Sequence, residues 1–389
     1  MCYVILSDIH ANYTAVTAIT EALDRIAAPK KFYFLGDLLG YGPAAQAVQC
    51  IDWLHYQSQI YGENGSEESR WVPGNHDEWA ITQLGQMRDE GFVTVRAQQA
   101  LLAASRAADW EWFANEVRAV LQDDETRSLL IKTRGAGPEG LFLAFTHGGV
   151  PLDLRRVTYL WPWQPSILRS HFAPLRERTD AGTKVLFTGH THLPFLAQLL
   201  PDTEHTLKFH SIKYGRPIRL GPGEWIINPG SAGHPRDGDP RAAFAVFEPD
   251  ARTVVFQRVE YDTRKVVTAL QEEKYNKVES YDSIAGHLLT LELGNFQHHR
   301  QRLQQGLEQK PPKIDRPGQQ TLWDLLETGR TVNPDRPGAR LRREYSERIE
   351  QTYKHLIHEI EFGSGGEDEQ RYHAEIYRVP QWDLEAVGA

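Results

Sequence analysis

KVLFTGHTH, residues 184–192, begins as an apolar run and ends on two imidazoles. Val185, Leu186 and Phe187 are the short β-branched, aliphatic and aromatic residues of a buried strand. Gly189 then allows a turn, and His190 and His192 stand just beyond it. Side chains two residues apart leave a strand on the same side, so this pair is expected to aim at one point.

The same arrangement recurs ahead of this segment. The first apolar run, residues 3–7, ends on Asp8 and His10, again two apart. FYFLGD (32–37) ends on Asp37, WVPGNHD (71–77) on Asn75, His76 and Asp77, and LFLAFTHGG (141–149) on His147 and two glycines. Three more strand-like runs begin at Glu224, Ala242 and Thr253, the last two spaced closely enough to pair antiparallel. Between the early runs, Val16, Ile19, Leu23 and Ile26 repeat at helical spacing until Pro29, and a helical stretch follows Pro43. The order strand, helix, strand describes a mixed α/β core with helices mainly in its first half and strands mainly in its second. Polar residues at strand ends are where such sheets bind ligands.

Two stretches depart from this pattern. Residues from Trp79 to about 125 are rich in alanine, leucine, charge and tryptophan, which predicts a helical insertion able to roof a site. After residue 263 glutamine and charge dominate, and proline–glycine breaks interrupt the helix formers. Two domains are therefore expected: residues 1–263, and a mainly helical C-terminal extension, 264–389. Within the extension, residues 299–345 carry ten Lys/Arg against six Asp/Glu. Leu341, Tyr345, Ile349, Tyr353, Ile357 and Ile360 form a helical stripe suited to the core, a second subunit or a protein partner.

Composition narrows the chemistry. At 389 residues and 40% hydrophobic, the chain can bury a sizeable core. Two cysteines, Cys2 and Cys50, build neither a disulfide framework nor a thiolate zinc site. The N-terminus has no basic segment ahead of its apolar run, and no run approaches about 18 apolar residues, so a membrane role is not expected. The expected location is the cytoplasm. A net charge of −9 disfavours broad capture of nucleic acid, although a local basic stretch or metal centre can still hold phosphates.

The strand-end residues Asp8, His10, Asp37, Asn75, His147, His190 and His192 supply seven oxygen and nitrogen donors, enough for two divalent ions sharing one carboxylate. Such donors suit Mn²⁺ first, and also Fe, Zn²⁺, Ni²⁺ or Mg²⁺. GSAG around Ser231 lacks the spacing of a nucleophile elbow, so Ser231 is expected to shape a turn. Asp77 is a candidate to fix an imidazole tautomer. Arg236, Arg241 and His234, in the segment after Asn228, are candidate substrate-binding residues, since arginine's fork matches phosphate oxygens.

Taken in order, SDIH, GDLLGYGP, GNHD, THGG and GHTH resemble the signature of the calcineurin-like metallophosphoesterases. SDIHAN, GDLLGYGP and NPGSAG with PRDGDPRAAFAVF resemble more narrowly the small bacterial phosphodiesterase branch, over about residues 1–261. The resemblance implies a four-layer α-β-β-α sandwich, two facing mixed sheets flanked by helices. It also implies that Asp8, His10 and His192 hold one metal, that Asn75, His147 and His190 hold the other, that Asp37 bridges both, and that His76 faces the substrate.

The expected function is hydrolysis of nucleotide-like or small phosphoesters by in-line attack of a metal-bridging hydroxide. His76 would donate a proton to the leaving oxygen, a contribution of ~10² to 10⁴ in rate. A nuclease using the same metals is the alternative, motivated by the basic stretch. A non-catalytic scaffold is disfavoured because every expected ligand position is filled.

Overall fold

The computed structural model describes residues 2–26, 30–62, 71–82, 90–122, 129–149, 160, 165–200, 207–210, 212–235, 239 and 241–273. Arg236, the basic stretch and the stripe from Leu341 to Ile360 lie outside the described residues. The chain runs β1 (Cys2–Leu6), α1 (Tyr13–Leu23), β2 (Lys30–Phe34), α2 (Ala44–Gly62), α3 (Asn75–Thr82), α4 (Glu90–Ser105), α5 (Ala107–Gln122), β3 (Leu129–Arg134), β4 (Leu141–Thr146), α6 (Pro165–Ser170) and α7 (Ala173–Arg176). It continues through β5 (Thr183–Phe187), β6 (Phe195–Leu199), β7 (Leu207–Phe209), β8 (Pro217–Arg219), β9 (Gly223–Asn228), β10 (Ala242–Glu248), β11 (Thr253–Val259) and α8 (Thr263–Glu272). None of the described helices is long and apolar enough to cross a membrane.

Among the described residues the strands form two mixed sheets, ordered β2-β1-β10-β11-β8 and β3-β4-β5-β9-β6-β7. β1 and β2 are parallel, as are β4, β5 and β9, whereas β10 enters antiparallel between β1 and β11. Alternation along β1 shows how the layers form. Tyr3 and Ile5 face the second sheet, where Tyr33 stacks on Phe145 with ring centroids 4.3 Å apart and Phe187 meets Phe247 at 5.5 Å. Cys2, Val4 and Leu6 face the other way, into a cluster with Val16 and Ile19 of α1, Ile51 of α2, Val95 and Leu102 of α4, and Phe113 of α5. Leu168 of α6 and Leu175 of α7 join the core of the second sheet. This is the expected sandwich: helices, sheet, sheet, helices.

The expected insertion thus contains α4 and α5, which pack against α2 and α3 and fill the first helical layer. α8 docks on α1 and buries Val266, Val267 and Leu270. β1 and β2 end side by side in one sheet and β4, β5 and β9 in the other, and the loops that follow meet, with His10 Nε2 3.1 Å from His192 Nε2 and His147 Nδ1 2.6 Å from Leu35 O.

Candidate metal centre

Beyond Leu6 and Phe34 the backbones stay paired: Asp8 N–H donates to Gly36 O at 3.0 Å, His10 N–H to Asp37 O at 3.0 Å and Ala11 N–H to Leu38 O at 2.7 Å. The conformation, however, is no longer extended. φ is 54° at Asp8, 50° at His10, 58° at Asp37, 64° at His190 and 59° at His192. A residue with a side chain held there carries ~1–3 kcal/mol of strain, which persists only where the surroundings over-determine it. Gly74 shows how tightly the loops meet, since a Cβ there would lie 2.1 Å from Asp37 Oδ1.

This backbone overturns one expectation. His190 and His192 follow β5 rather than continuing it, so the alternation of a strand does not apply, and the two rings go to different places. His192 Nε2 lies 3.1 Å from His10 Nε2 and 3.3 Å from Asp8 Oδ1, while His190 Nδ1 lies 3.1 Å from His147 Nε2.

Two groups of donors result. Asp8, His10, Asp37 and His192 present atoms all within 4.8 Å of one another, and Asp37, His147 and His190 do the same. Asp37 belongs to both. Asn75, at the start of α3 and half-buried, brings Oδ1 to 3.2 Å from His147 Nε2; the other members are buried.

The tautomers follow from the outer hydrogen bonds. Nδ1 of His10 donates to Leu39 O (2.9 Å), that of His147 to Leu35 O (2.6 Å) and that of His192 to His234 O (2.5 Å). With Nδ1 carrying the proton, each neutral ring turns an Nε2 lone pair inward. Acceptors therefore face acceptors: Nε2 against Nε2, and Nε2 against carboxylate and amide oxygen. Such a set is repulsive unless a cation or a proton lies between its members, so the residues fit divalent ions of borderline hardness. Without a cation, protons take that place. Burial would raise the Asp37 carboxyl, yet His147, His76 and His10 hold it well below the usual range. Burial would likewise lower His147, but Asp37, 3.2 Å away, and Asp8 lift its imidazole to about 9.

The surrounding residues fix this geometry. The expectation that Asp77 sets an imidazole tautomer is overturned, because its carboxylate accepts four backbone N–H groups instead. These are Asp37 (2.8 Å), Leu38 (2.9 Å), Leu39 (3.2 Å) and Gly74 (2.9 Å). Burial and the charge of Asp37 push the Asp77 carboxyl up to about 7 against the pull of these donors. Ser231 Oγ donates to Asp8 O at 2.7 Å and accepts His234 N–H at 2.8 Å, and Asn228 Nδ2 donates to Gly189 O at 2.8 Å. Both hold ligand loops.

His76 gives its backbone N–H to Asp37 Oδ1 (2.9 Å), and its ring packs on those of His10, Tyr41 and Trp79. His234 stacks on Tyr41 at 4.6 Å and meets His10 and His192 edge-on. Arg241 pairs through its fork with buried Asp239 at 2.7 and 3.0 Å. Burial would raise the Asp239 carboxyl, but Arg258 and Arg241 hold it down at about 2. Tyr41 was not singled out by sequence; its place between Gly40 and Gly42 in GDLLGYGP is the signal that marks it.

Residues 1–252 match the calcineurin-like phosphoesterase superfamily domain. The chain belongs to that superfamily. An uncharacterized protein of Methanocaldococcus jannaschii is 24% identical over 263 residues, covering 67% of this chain and 88% of that one. The crystal structure of a metallophosphoesterase from Sphaerobacter thermophilus superposes with a TM-score of 0.52 at 26% identity, over 75% of this chain and all of that one. The two helix-flanked sheets are those of the calcineurin-like sandwich, and the converging aspartates and histidines are a candidate metal site within it.

Proposed function

We propose that the protein is a phosphohydrolase dependent on two divalent cations, acting on nucleotide-like or small phosphoesters. One observation carries this reading: two groups of inward-facing acceptors, otherwise repulsive, share the single carboxylate of Asp37. Asp8, His10 and His192 would hold one ion, Asn75, His147 and His190 the other, and Asp37 both. Their oxygen and nitrogen donors favour Mn²⁺, with Fe, Zn²⁺, Ni²⁺ and Mg²⁺ able to substitute. When bound, such a pair supplies charge to neutralise phosphate oxygens and acidifies a water toward neutral pH.

The remaining steps belong to the chain's own side chains. His76 borders both donor groups, with Nε2 4.0 Å from Asp37 Oδ2, which supports the reading that it would donate a proton to the leaving oxygen. His234 and Tyr41 wall the first group and orient what enters it. The test is hydrolysis of p-nitrophenyl mono- and diesters by Mn²⁺-loaded protein, with metal content measured in parallel. Wild type should turn over, and Asp37→Ala should lose metal and about 10³ in kcat/KM, the weight of a lost charge clamp of several kcal/mol. Wild type that binds no metal, or stays inert with all five metals, would overturn the reading.

A further inference from the structure

α4 lies in the stretch expected to be an insertion, and it buries two polar side chains completely. Thr94 and Gln98 stand one helical turn apart and so share a face. Val95 and Leu102 of the same helix pack in the apolar cluster behind the first sheet. Burying a hydroxyl and an amide is costly unless each finds partners. Their partners are three consecutive residues of the loop between β2 and α2. Thr94 Oγ1 accepts the N–H of Tyr41 (2.8 Å), Gln98 Oε1 accepts that of Gly40 (2.7 Å), and Gln98 Nε2 donates to Gly42 O (2.8 Å).

The loop so gripped is the wall of the candidate site. Its backbone is left-handed at Gly40 (φ 93°) and Tyr41 (φ 50°), a conformation that needs outside support at a tyrosine. A Cβ at Gly40 would lie 2.3 Å from His76 Nδ1, and one at Gly42 would lie 2.1 Å from His10 O. The Tyr41 ring sits 4.9 Å from that of His76 and 4.8 Å from that of His10. Any shift of the loop therefore shifts the ring of His76. We propose that Thr94 and Gln98 are positioning residues, holding Gly40, Tyr41 and Gly42 so that His76 is aimed at the leaving group. The helical insertion is then part of the reaction machinery. This rests on the phosphohydrolase reading, with His76 as proton donor.

The experiment compares full-length Mn²⁺-loaded wild type, Thr94→Val, Thr94→Ser, Gln98→Leu and His76→Ala on esters that differ only in leaving group. p-Nitrophenolate departs unaided, whereas an alkoxide needs a proton. Thr94→Val and Gln98→Leu should lower kcat for the alkyl ester by ~10² more than for the p-nitrophenyl ester, as a displaced proton donor does. Thr94→Ser, which keeps the hydroxyl, should restore the alkyl activity. In the metal-free protein, the His76 ring NMR signals should move in Thr94→Val and return in Thr94→Ser. A purely structural role predicts equal losses on both esters and unmoved His76 signals, and either result overturns the proposal. Inert wild type would sink the phosphohydrolase reading instead, and the ring signals would still decide whether Thr94 sets the place of His76. Active wild type whose His76→Ala variant shows leaving-group bias, beside a Thr94→Val variant that shows none, would sink the positioning role alone.

Discussion

The two donor groups on either side of Asp37 are built differently. The first has a carboxylate of its own, Asp8, two imidazoles anchored on Leu39 O and His234 O, and a wall of rings from Tyr41 and His234. The second has His147, His190 and the half-buried amide of Asn75, so its only carboxylate is the one it shares. An extra formal charge in a buried site outweighs an extra neutral oxygen. The comparison teaches that a symmetrical-looking motif set produces unequal halves: on the proposed two-cation reading, the first group should hold its cation tightly and the second should exchange it.

The largest expected effect breaks that inequality directly. Asp8 faces His192 Nε2 at 3.3 Å and accepts the N–H of His190 at 3.1 Å. Asp8→Ala should weaken the tighter cation by about 10³, as a charge near 4 Å is worth roughly 4 kcal/mol at an effective dielectric of about 20. Asn75→Ala removes a neutral donor and should weaken only the looser cation, by about 10- to 100-fold. Calorimetric metal titrations of the two variants check this, and equal losses would erase the asymmetry.

The sequence exposed some of this arrangement and hid the rest for identifiable reasons. Apolar runs ending in polar residues, with a glycine beside them after β2, β4 and β5, mark β1, β2, β4 and β5, because burial and the turn are both local. The donors at their ends were visible for the same reason. Hidden were β3, β6, β7 and β8, of which β7 and β8 are three residues long and too short to show a pattern, and the insertion of β10 beside β1. The left-handed backbone at Asp8, Asp37, His190 and His192 was also hidden, since aspartate and histidine, though enriched there, adopt other backbone regions far more often. This defeated the alternation argument for His190 and His192. Thr94 and Gln98 read as ordinary helix residues, because what they hold lies more than fifty positions earlier.

A smaller effect sharpens the comparison through protons. The imidazole of His147 is lifted from its ordinary 6.5 to about 9 in the metal-free protein. A group whose folded pKa is raised contributes stability that is fully present below about 6.5 and lost as the pH rises through about 9. The same proton must leave before His147 can bind a cation. Affinity for the looser cation should therefore rise up to ~10-fold per pH unit toward about 9, then level, with protons released on binding. Over the same window the melting temperature of metal-free protein should fall. Calorimetry in buffers of differing ionisation enthalpy measures the release, and pH-independent affinity from 7 to 9 would remove His147 from the looser site.

The smallest expected effect concerns the residue that serves both groups at once. Asp77 accepts N–H groups from Asp37 and Leu39 on one side and from Gly74, next to Asn75, on the other. Leu39 O in turn holds His10, so the carboxylate ties the backbone of the first group to that of the second. Asp77→Asn keeps the shape but directs an NH₂ at N–H donors, so some of these bonds must break. Metal affinity should fall by about 10-fold, in the range for residues that orient ligands, and should fall alike for both cations. An equal loss is what separates this variant from Asp8→Ala and Asn75→Ala, each of which strikes one half. If Asp77→Asn spared one cation, the carboxylate would be holding one loop only, and the two halves would be coupled through Asp37 and the His190 N–H that Asp8 accepts.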